Sequence, residues 1–269
     1  MSTRDGNQQV YVMSVDGSNV RRVTPGMAAP ASYGSVSWSR DGRLLATVYR
    51  PTRSDDLDNG LNVIEFISLR TDGREQQILY AGINGERPDA SPTNDAIVFE
   101  QEHGPFQNNP PIDIYVVRPW RLSAQSLTHG DGEYIQAAWS PDGQKIAYAC
   151  AKPKQQLQIC VMNADGSDAR VITRGAGSHQ WPAWAPEGER LAYFVETQQD
   201  RSVDSSIGTV DVDGSNERLI TAHSGVRRDE TPSWSPNGRT IAFQTDRLGN
   251  GFRIAVMNVD GSGVRMLTR

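Results

Sequence analysis

An all-β chain built from repeated four-stranded units is what this sequence predicts, and three observations carry that expectation. A Trp-Ser-Pro type motif recurs at near-constant spacing along the 269 residues. A second motif centred on Asp-Gly interleaves with it. No segment shows the sustained 3.6-residue apolar period of a long helix.

The first motif reads Trp38-Ser39-Arg40-Asp41-Gly42, Trp139-Ser140-Pro141-Asp142-Gly143, Trp184-Ala185-Pro186-Glu187-Gly188 and Trp234-Ser235-Pro236-Asn237-Gly238. A degraded copy, Ala90-Ser91-Pro92-Thr93-Asn94-Asp95, stands between the first two, giving spacings of 52, 49, 45 and 50 residues. Each copy is a strand end, a tight turn and the start of an apolar strand such as Ile146-Ala147-Tyr148 or Ile241-Ala242-Phe243. The second motif runs from an apolar strand through Asp-Gly to a strand ending in Leu-Thr or its equivalent. Its copies are Val10 to Thr24, Val63 to Leu79, Ile159 to Thr173, Thr209 to Thr221 and Ile254 to Thr268, with Pro119-Trp120 replacing Asp-Gly between Ile114 and Thr128. Asp-Gly and Asn-Gly between apolar runs signal hairpins because the turn needs a positive φ. Four short strands per ~45–50 residues is the arithmetic of a β-propeller blade.

The strand before each Trp carries small residues: Ser35 and Ser37, Ala137 and Ala138, Ala183, Ser233. Small side chains fit where innermost strands crowd toward an axis. The indoles are expected to fill the wedges between blades and to be buried at equivalent positions.

Taken together, Trp-Ser-Pro-Asp-Gly, an apolar strand, Val-Met-Asn-x-Asp-Gly-Ser and Leu-Thr resemble the TolB-type, WD-repeat-like propeller repeat. The best copies are Trp139 to Thr173 and Trp234 to Thr268, and the resemblance covers nearly the whole chain. It implies a six-bladed ring, periplasmic or otherwise extracytoplasmic, that acts as a protein-binding scaffold. The expected single domain runs over 1–269: an outer half-blade at 2–26, then blades at 27–82, 83–130, 131–174, 175–222 and 223–269. One blade is thus incomplete, lacking an inner hairpin of about 24 residues by analogy with Thr221 to Thr245. The sequence therefore reads as a fragment of a longer chain; the alternatives are a ring with one incomplete blade or a gap filled by a partner strand.

Composition agrees with a turn-rich globular chain. Gly and Pro make 40 of 269 residues, above the usual ~12%. The net charge of −5 and the lack of a basic stripe argue against nucleic acid. No apolar run approaches the ~18 residues that membrane insertion needs, and Met1 to Asn7 has no signal-peptide core.

Chemistry-bearing motifs are sparse. No Gly-x-Ser-x-Gly nucleophile elbow occurs. Asp211-Val212-Asp213-Gly214-Ser215-Asn216 lacks the later ligands of a calcium loop and is explained by a hairpin turn. Cys150 and Cys160 fall on neighbouring strands; free buried thiols are the preferred reading over a cross-strand disulfide. His129, His179 and His223 follow successive Leu-Thr strands, but a propeller mouth separates such loops by too much for shared metal bonds of ~2.1 Å. No metal and no cofactor is expected.

What the repeat leaves free is the stretch before each inner strand, expected to form loops at the mouth of the central channel. These residues are Glu86-Arg87-Pro88-Asp89, Glu133-Tyr134-Ile135-Gln136, Ser178-His179-Gln180-Trp181 and Arg227-Arg228-Asp229-Glu230. Mixed charge with Tyr and Trp suits a protein-binding rim. The candidate partner-binding residues are Arg87, Asp89, Tyr134, Gln136, His179, Gln180, Trp181, Arg228 and Asp229, with Arg87, Tyr134, His179, Trp181 and Arg228 expected at least partly exposed. Two insertions, Arg50 to Asn62 and His103 to Pro111, read as surface loops. The expected function is non-catalytic binding of a protein or peptide, an envelope lipoprotein among the partners that the resemblance suggests. The alternatives are the propeller of a prolyl-oligopeptidase-like peptidase without its hydrolase domain, or a metal-dependent propeller lyase, for which His179-Gln180 would be the candidate ligands.

Overall fold

The computed structural model describes residues 8–24, 32–51, 62–83, 85–102, 111–118, 123–199, 202–221, 227–249 and 251–268. The segment 2–7, most of both insertions, Pro119-Trp120 and His223 lie outside the described residues. All regular structure among the described residues is β, and no helix is long and apolar enough to cross a membrane. The chain forms two compact units, Met1–Leu127 and Thr128–Arg269.

In the first unit, β1 (Tyr11–Val12) and β2 (Arg21–Arg22) form a two-stranded hairpin. A four-stranded sheet follows, β3 (Ser32–Trp38), β4 (Leu44–Pro51), β5 (Asn62–Leu69) and β6 (Gln77–Ile83), paired in sequence order. Next come β7 (Gly85–Ala90), β8 (Ile97–Glu102), β9 (Ile112–Val117) and β10 (Gln125–Ser126), again each paired to the next. The β1–β2 hairpin is held by Val10 and Val23, which pack on Tyr33, Leu44, Ala46, Val48, Ile67 and Leu69 of the following sheet.

The second unit repeats the pattern three times. The sheets are β11 (Glu133–Trp139), β12 (Lys145–Ala151), β13 (Gln158–Asn163), β14 (Arg170–Val171); β15 (Ser178–Trp184), β16 (Arg190–Gln199), β17 (Ser202–Asp211), β18 (Arg218–Leu219); and β19 (Asp229–Trp234), β20 (Thr240–Thr245), β21 (Arg253–Asn258), β22 (Arg265–Met266). Within each, the strands pair antiparallel in sequence order.

Every residue of the repeat has a local task. In the first turn the Ser hydroxyl donates to the Asp or Asn two residues on, at 2.6 Å in Ser39–Asp41 and Ser140–Asp142 and 2.8 Å in Ser235–Asn237. The Gly of that turn has a positive φ (76° at Gly42, 68° at Gly143 and Gly238) and donates its N–H back to the Ser carbonyl. In the second turn Asp165 and Asp260 each accept from the N–H and hydroxyl of the following Ser. The Thr of Leu-Thr closes the strand pair: its Oγ1 accepts the backbone N–H of Ile159, Ile207 and Ile254 from Thr173, Thr221 and Thr268 at 2.8–2.9 Å.

Trp38, Trp139, Trp184 and Trp234 all end inner strands, but they are not equally buried. Trp139 is 7% exposed and Trp38 is 59% exposed. Trp184 and Trp234 are half-buried, and each indole donates to a carbonyl of the preceding inner strand, Ala138 O at 3.0 Å and Ala183 O at 3.1 Å. An indole in this position is covered by the sheet before it. Ahead of Trp38, the described residues supply the two strands β1 and β2.

The cysteines are a second correction. Cys150 and Cys160 form a disulfide with Cα atoms 6.0 Å apart. Cys150 lies opposite Gln158 and Cys160 opposite Tyr148, so the bridge runs along the diagonal between strands, where side chains of one face still reach one another.

Candidate functional site

The residues expected in loops lie inside the inner strands, and a bulge shapes them. The pairing of each inner strand with its neighbour shifts between Glu86 and Asp89, Ile135 and Ala138, Gln180 and Ala183, and Glu230 and Ser233. At the bulges Arg87 (φ 49°), Gln136 (φ 60°), Trp181 (φ 54°) and Thr231 (φ 50°) take left-handed backbone without being glycine. A bulge re-aims side chains, and left-handed non-glycine residues persist only where surrounding contacts hold them.

Those contacts separate the candidates. In the first unit, Arg87 pairs with the buried Glu100, and Glu86 accepts the Tyr49 hydroxyl at 2.9 Å. Burial, with the Glu86 carboxylate next, drives the Tyr49 pKa far up. Asp89 is half-buried.

In the second unit, Gln136 is buried and its Oε1 accepts the Trp181 backbone N–H at 2.8 Å, while its Nε2 donates to Gln180 at 3.4 Å. Gln136, Gln180 and Trp181 are thus brought together across two adjacent inner strands. Trp181 is half-buried against the cluster that contains Ala192, Phe194 and Ile241. Tyr134, half-buried, donates to Asp131, which also pairs with Lys152. The Lys152 bond, then the Tyr134 bond, hold the Asp131 carboxyl below its ordinary range. The Tyr134 ring lies 6.2 Å from that of Tyr148, whose pKa burial pushes up to about 12.

Arg228 keeps 43% of its side chain exposed. Its Nε donates to Asp246 at 3.1 Å, and its guanidinium lies 4.6 Å from the Phe252 ring centroid. Glu230 accepts from Ser205 at 3.3 Å. Burial raises the Glu230 pKa, against the lowering influence of Arg228, and Glu196 and Asp246 add to the rise.

Three candidates expected at the rim are structural. His179 is 1% exposed, with Nδ1 at 3.2 Å from Gly177 O, Nε2 at 3.4 Å from Glu217 and its ring 5.2 Å from Tyr193. The expectation of an exposed His179 is therefore corrected: it lies opposite Val195 in the β15–β16 register, facing the core. Asp229 is fully buried and paired with Arg247, at 2.5 Å and 3.1 Å. Gln136 likewise serves the neighbouring strand rather than an open surface. His129 is exposed. Among the described residues no group of three or more His, Cys, Asp or Glu is placed to hold a metal ion.

Sequence reasoning missed Asp131, Lys152, Glu217, Asp246 and Arg247, which hold the candidates in place. Strand register was the available signal, since Thr245, just before Asp246-Arg247, lies opposite Asp229. A groove of about 890 Å³ in the same unit lies elsewhere, lined by Glu187, Arg190, Asp211, Asp213, Glu217 and Arg218.

Repeated four-stranded antiparallel sheets, with inner strands bulged at one end and, in all but the degraded repeat, closed by Trp at the other, define a β-propeller. The chain belongs to the TolB beta propeller domain family, whose model matches residues 106–269, more than half of its length. It is 41% identical over 59 residues to the Tol-Pal system protein TolB of Rhizorhabdus wittichii, covering 22% of this chain and 12% of that protein. It is 43% identical over 44 residues to the uncharacterized peptidase YuxL of Bacillus subtilis, 16% of this chain and 7% of that protein. Crystalline TolB from Acinetobacter baumannii is similar in fold, with a TM-score of 0.72, 19% identity, and coverage of 97% of this chain and 59% of that one. The chain therefore matches only part of the length of each of these relatives.

Proposed function

We propose that the chain is a non-catalytic propeller that binds a protein or peptide at the bulged ends of its inner strands. The supporting observation is the set of half-exposed side chains that three successive inner strands of the Thr128–Arg269 unit leave there: Tyr134, Trp181 and Arg228. Aromatic side chains supply contact area at low entropic cost, and an arginine already laid on Phe252 and aligned by Asp246 loses little freedom on binding. Gln180, beside Trp181, joins the proposal; in the first unit, considered by itself, Arg87 holds the register position that Trp181 holds in the second. An extracytoplasmic setting, with an envelope protein or lipoprotein as partner, rests on the TolB relationship.

The second reading, a peptidase propeller, rests on the similarity to YuxL. The lyase reading rests on His179 and Gln180 as ligands, and it is the less supported one because His179 is buried with its nitrogens toward Gly177 and Glu217.

The test is quantitative. A partner captured on the wild-type chain is titrated against a Tyr134→Ala/Arg228→Glu variant, with thermal melting run alongside. Binding weakened by at least about tenfold at an unchanged melting temperature supports the reading. Equal affinity for both chains overturns it.

A further inference from the structure

The degraded repeat lacks its indole, and the structure shows what stands in its place. In the complete repeats, Trp184 packs in a cluster with Ala147, Val161 and Ile172 of the preceding sheet and Leu191 of its own. Trp234 packs with Ala192 and Ile220 of the preceding sheet and Ile241 of its own. Each indole N–H then reaches the carbonyl of the residue before the preceding Trp, Ala138 or Ala183.

Strand register carries these positions onto the first unit. Ala90 pairs with Ile97 as Trp184 pairs with Leu191. Leu45 pairs with Ser37 as Ala147 pairs with Ala138. Leu79 follows Ile78, which pairs with Ile67, as Ile172 follows Val171, which pairs with Cys160. Leu45, Leu79, Ala90 and Ile97 line an open groove of about 540 Å³, with Ala96 beside them. Ile97, Leu45 and Ala96 are buried while Ala90 and Leu79 remain half-exposed. Leu45 is larger than Ala147 and Ala192 at the same position, and it packs with Ile97, Phe66 and Phe99, with Leu79 and Ala90 against that cluster. The carbonyl in the position of Ala138 O is that of Ser37.

We propose that this groove is a ligand pocket for a small indole-type ring, seated where the other repeats place a tryptophan side chain. The occupant is defined by the repeat itself: a planar, apolar bicyclic ring with one N–H donor, for which register puts the Ser37 carbonyl in the place of Ala138 O. A cavity left by deleting a large side chain binds small aromatic molecules when its lining is apolar. Here five apolar residues, Leu45, Leu79, Ala90, Ala96 and Ile97, share the lining with polar and charged ones such as Arg40, Arg43 and Asp95, and Ser39 is hydrogen-bonded to Asp41 at 2.6 Å.

The probe is 5-fluoroindole, followed by fluorine NMR on the full chain. Wild type is expected to bind it saturably, and 1-methylindole, which has no donor, about fivefold more weakly. Ala90→Trp fills the groove and is expected to abolish binding. Leu45 could overpack that variant, so a Leu45→Ala/Ala90→Trp chain restores the pairing of small residue and indole found in the other repeats, and is expected to melt at or above the wild-type temperature without binding. No saturable binding by wild type, or equal binding by the double variant, overturns the proposal.

Discussion

The Gln136 side chain accepts the backbone N–H of Trp181 at 2.8 Å, so one inner strand fixes the bulge of the next. Trp181 needs that bond because its left-handed backbone turns the N–H out of the regular ladder. Gln136→Ala leaves this donor without its acceptor and should cost about 1–3 kcal/mol, read by denaturant unfolding. Gln136→Glu keeps an acceptor and should cost less.

The Cys150–Cys160 bridge closes a short loop. Chain entropy assigns such a loop roughly 2–3 kcal/mol. A Cys150→Ser/Cys160→Ser chain should melt below wild type under oxidising conditions and match wild type under strong reductant. Equal melting in both conditions would show that the bridge contributes nothing.

Burial lowers the His179 pKa below its ordinary 6.5, outweighing the nearby Glu217 carboxylate. A base depressed in the folded state contributes stability that is present above pH 6.5 and lost as pH falls through the folded value. Wild type should therefore lose melting temperature on acidification below about pH 6.5. His179→Gln should be less stable at pH 8 yet show a flatter profile between pH 6.5 and 5.

Glycines of the two turn types should respond differently to alanine. Gly42 (φ 76°) has nothing within 4 Å of an added Cβ, whereas at Gly261 (φ 88°) the Cβ would lie 1.9 Å from the Ile220 carbonyl oxygen. Gly42→Ala should cost about 1–2 kcal/mol, the left-handed penalty alone. Gly261→Ala should cost clearly more, because it also pushes apart two neighbouring sheets; equal costs would remove the steric argument.

The β architecture was legible because its signals are local. Ser140, Asp142 and Gly143 form their turn within four residues, and Thr173 caps its own hairpin. The candidate site was legible only as a location. Tyr134, Trp181 and Arg228 are accessible in part, while Gln136, His179 and Asp229 are buried, and that division depends on strand register and on partners far along the chain. Glu217 meets His179 across 38 positions, and Asp246-Arg247 clamps Arg228 and Asp229 from the opposite strand. The disulfide was illegible for the same reason, since only register shows that Cys150 and Cys160 share a face.

The Asp-Gly turns also govern chemical ageing. At such a bond the unhindered glycine nitrogen can attack the neighbouring carboxyl, close a succinimide and reopen as isoaspartate. In this chain the Gly166 N–H is already donated to Asn163 O at 2.9 Å, and Asp165 accepts both the N–H and the hydroxyl of Ser167. The hydroxyl bond, then the backbone bond, keep Asp165 ionised, and the same holds at Asp213 and Asp260. An ionised carboxylate is a poor target, and a bonded nitrogen is a poor attacker. Isoaspartate should therefore accumulate in unfolded chains well before it marks the folded one.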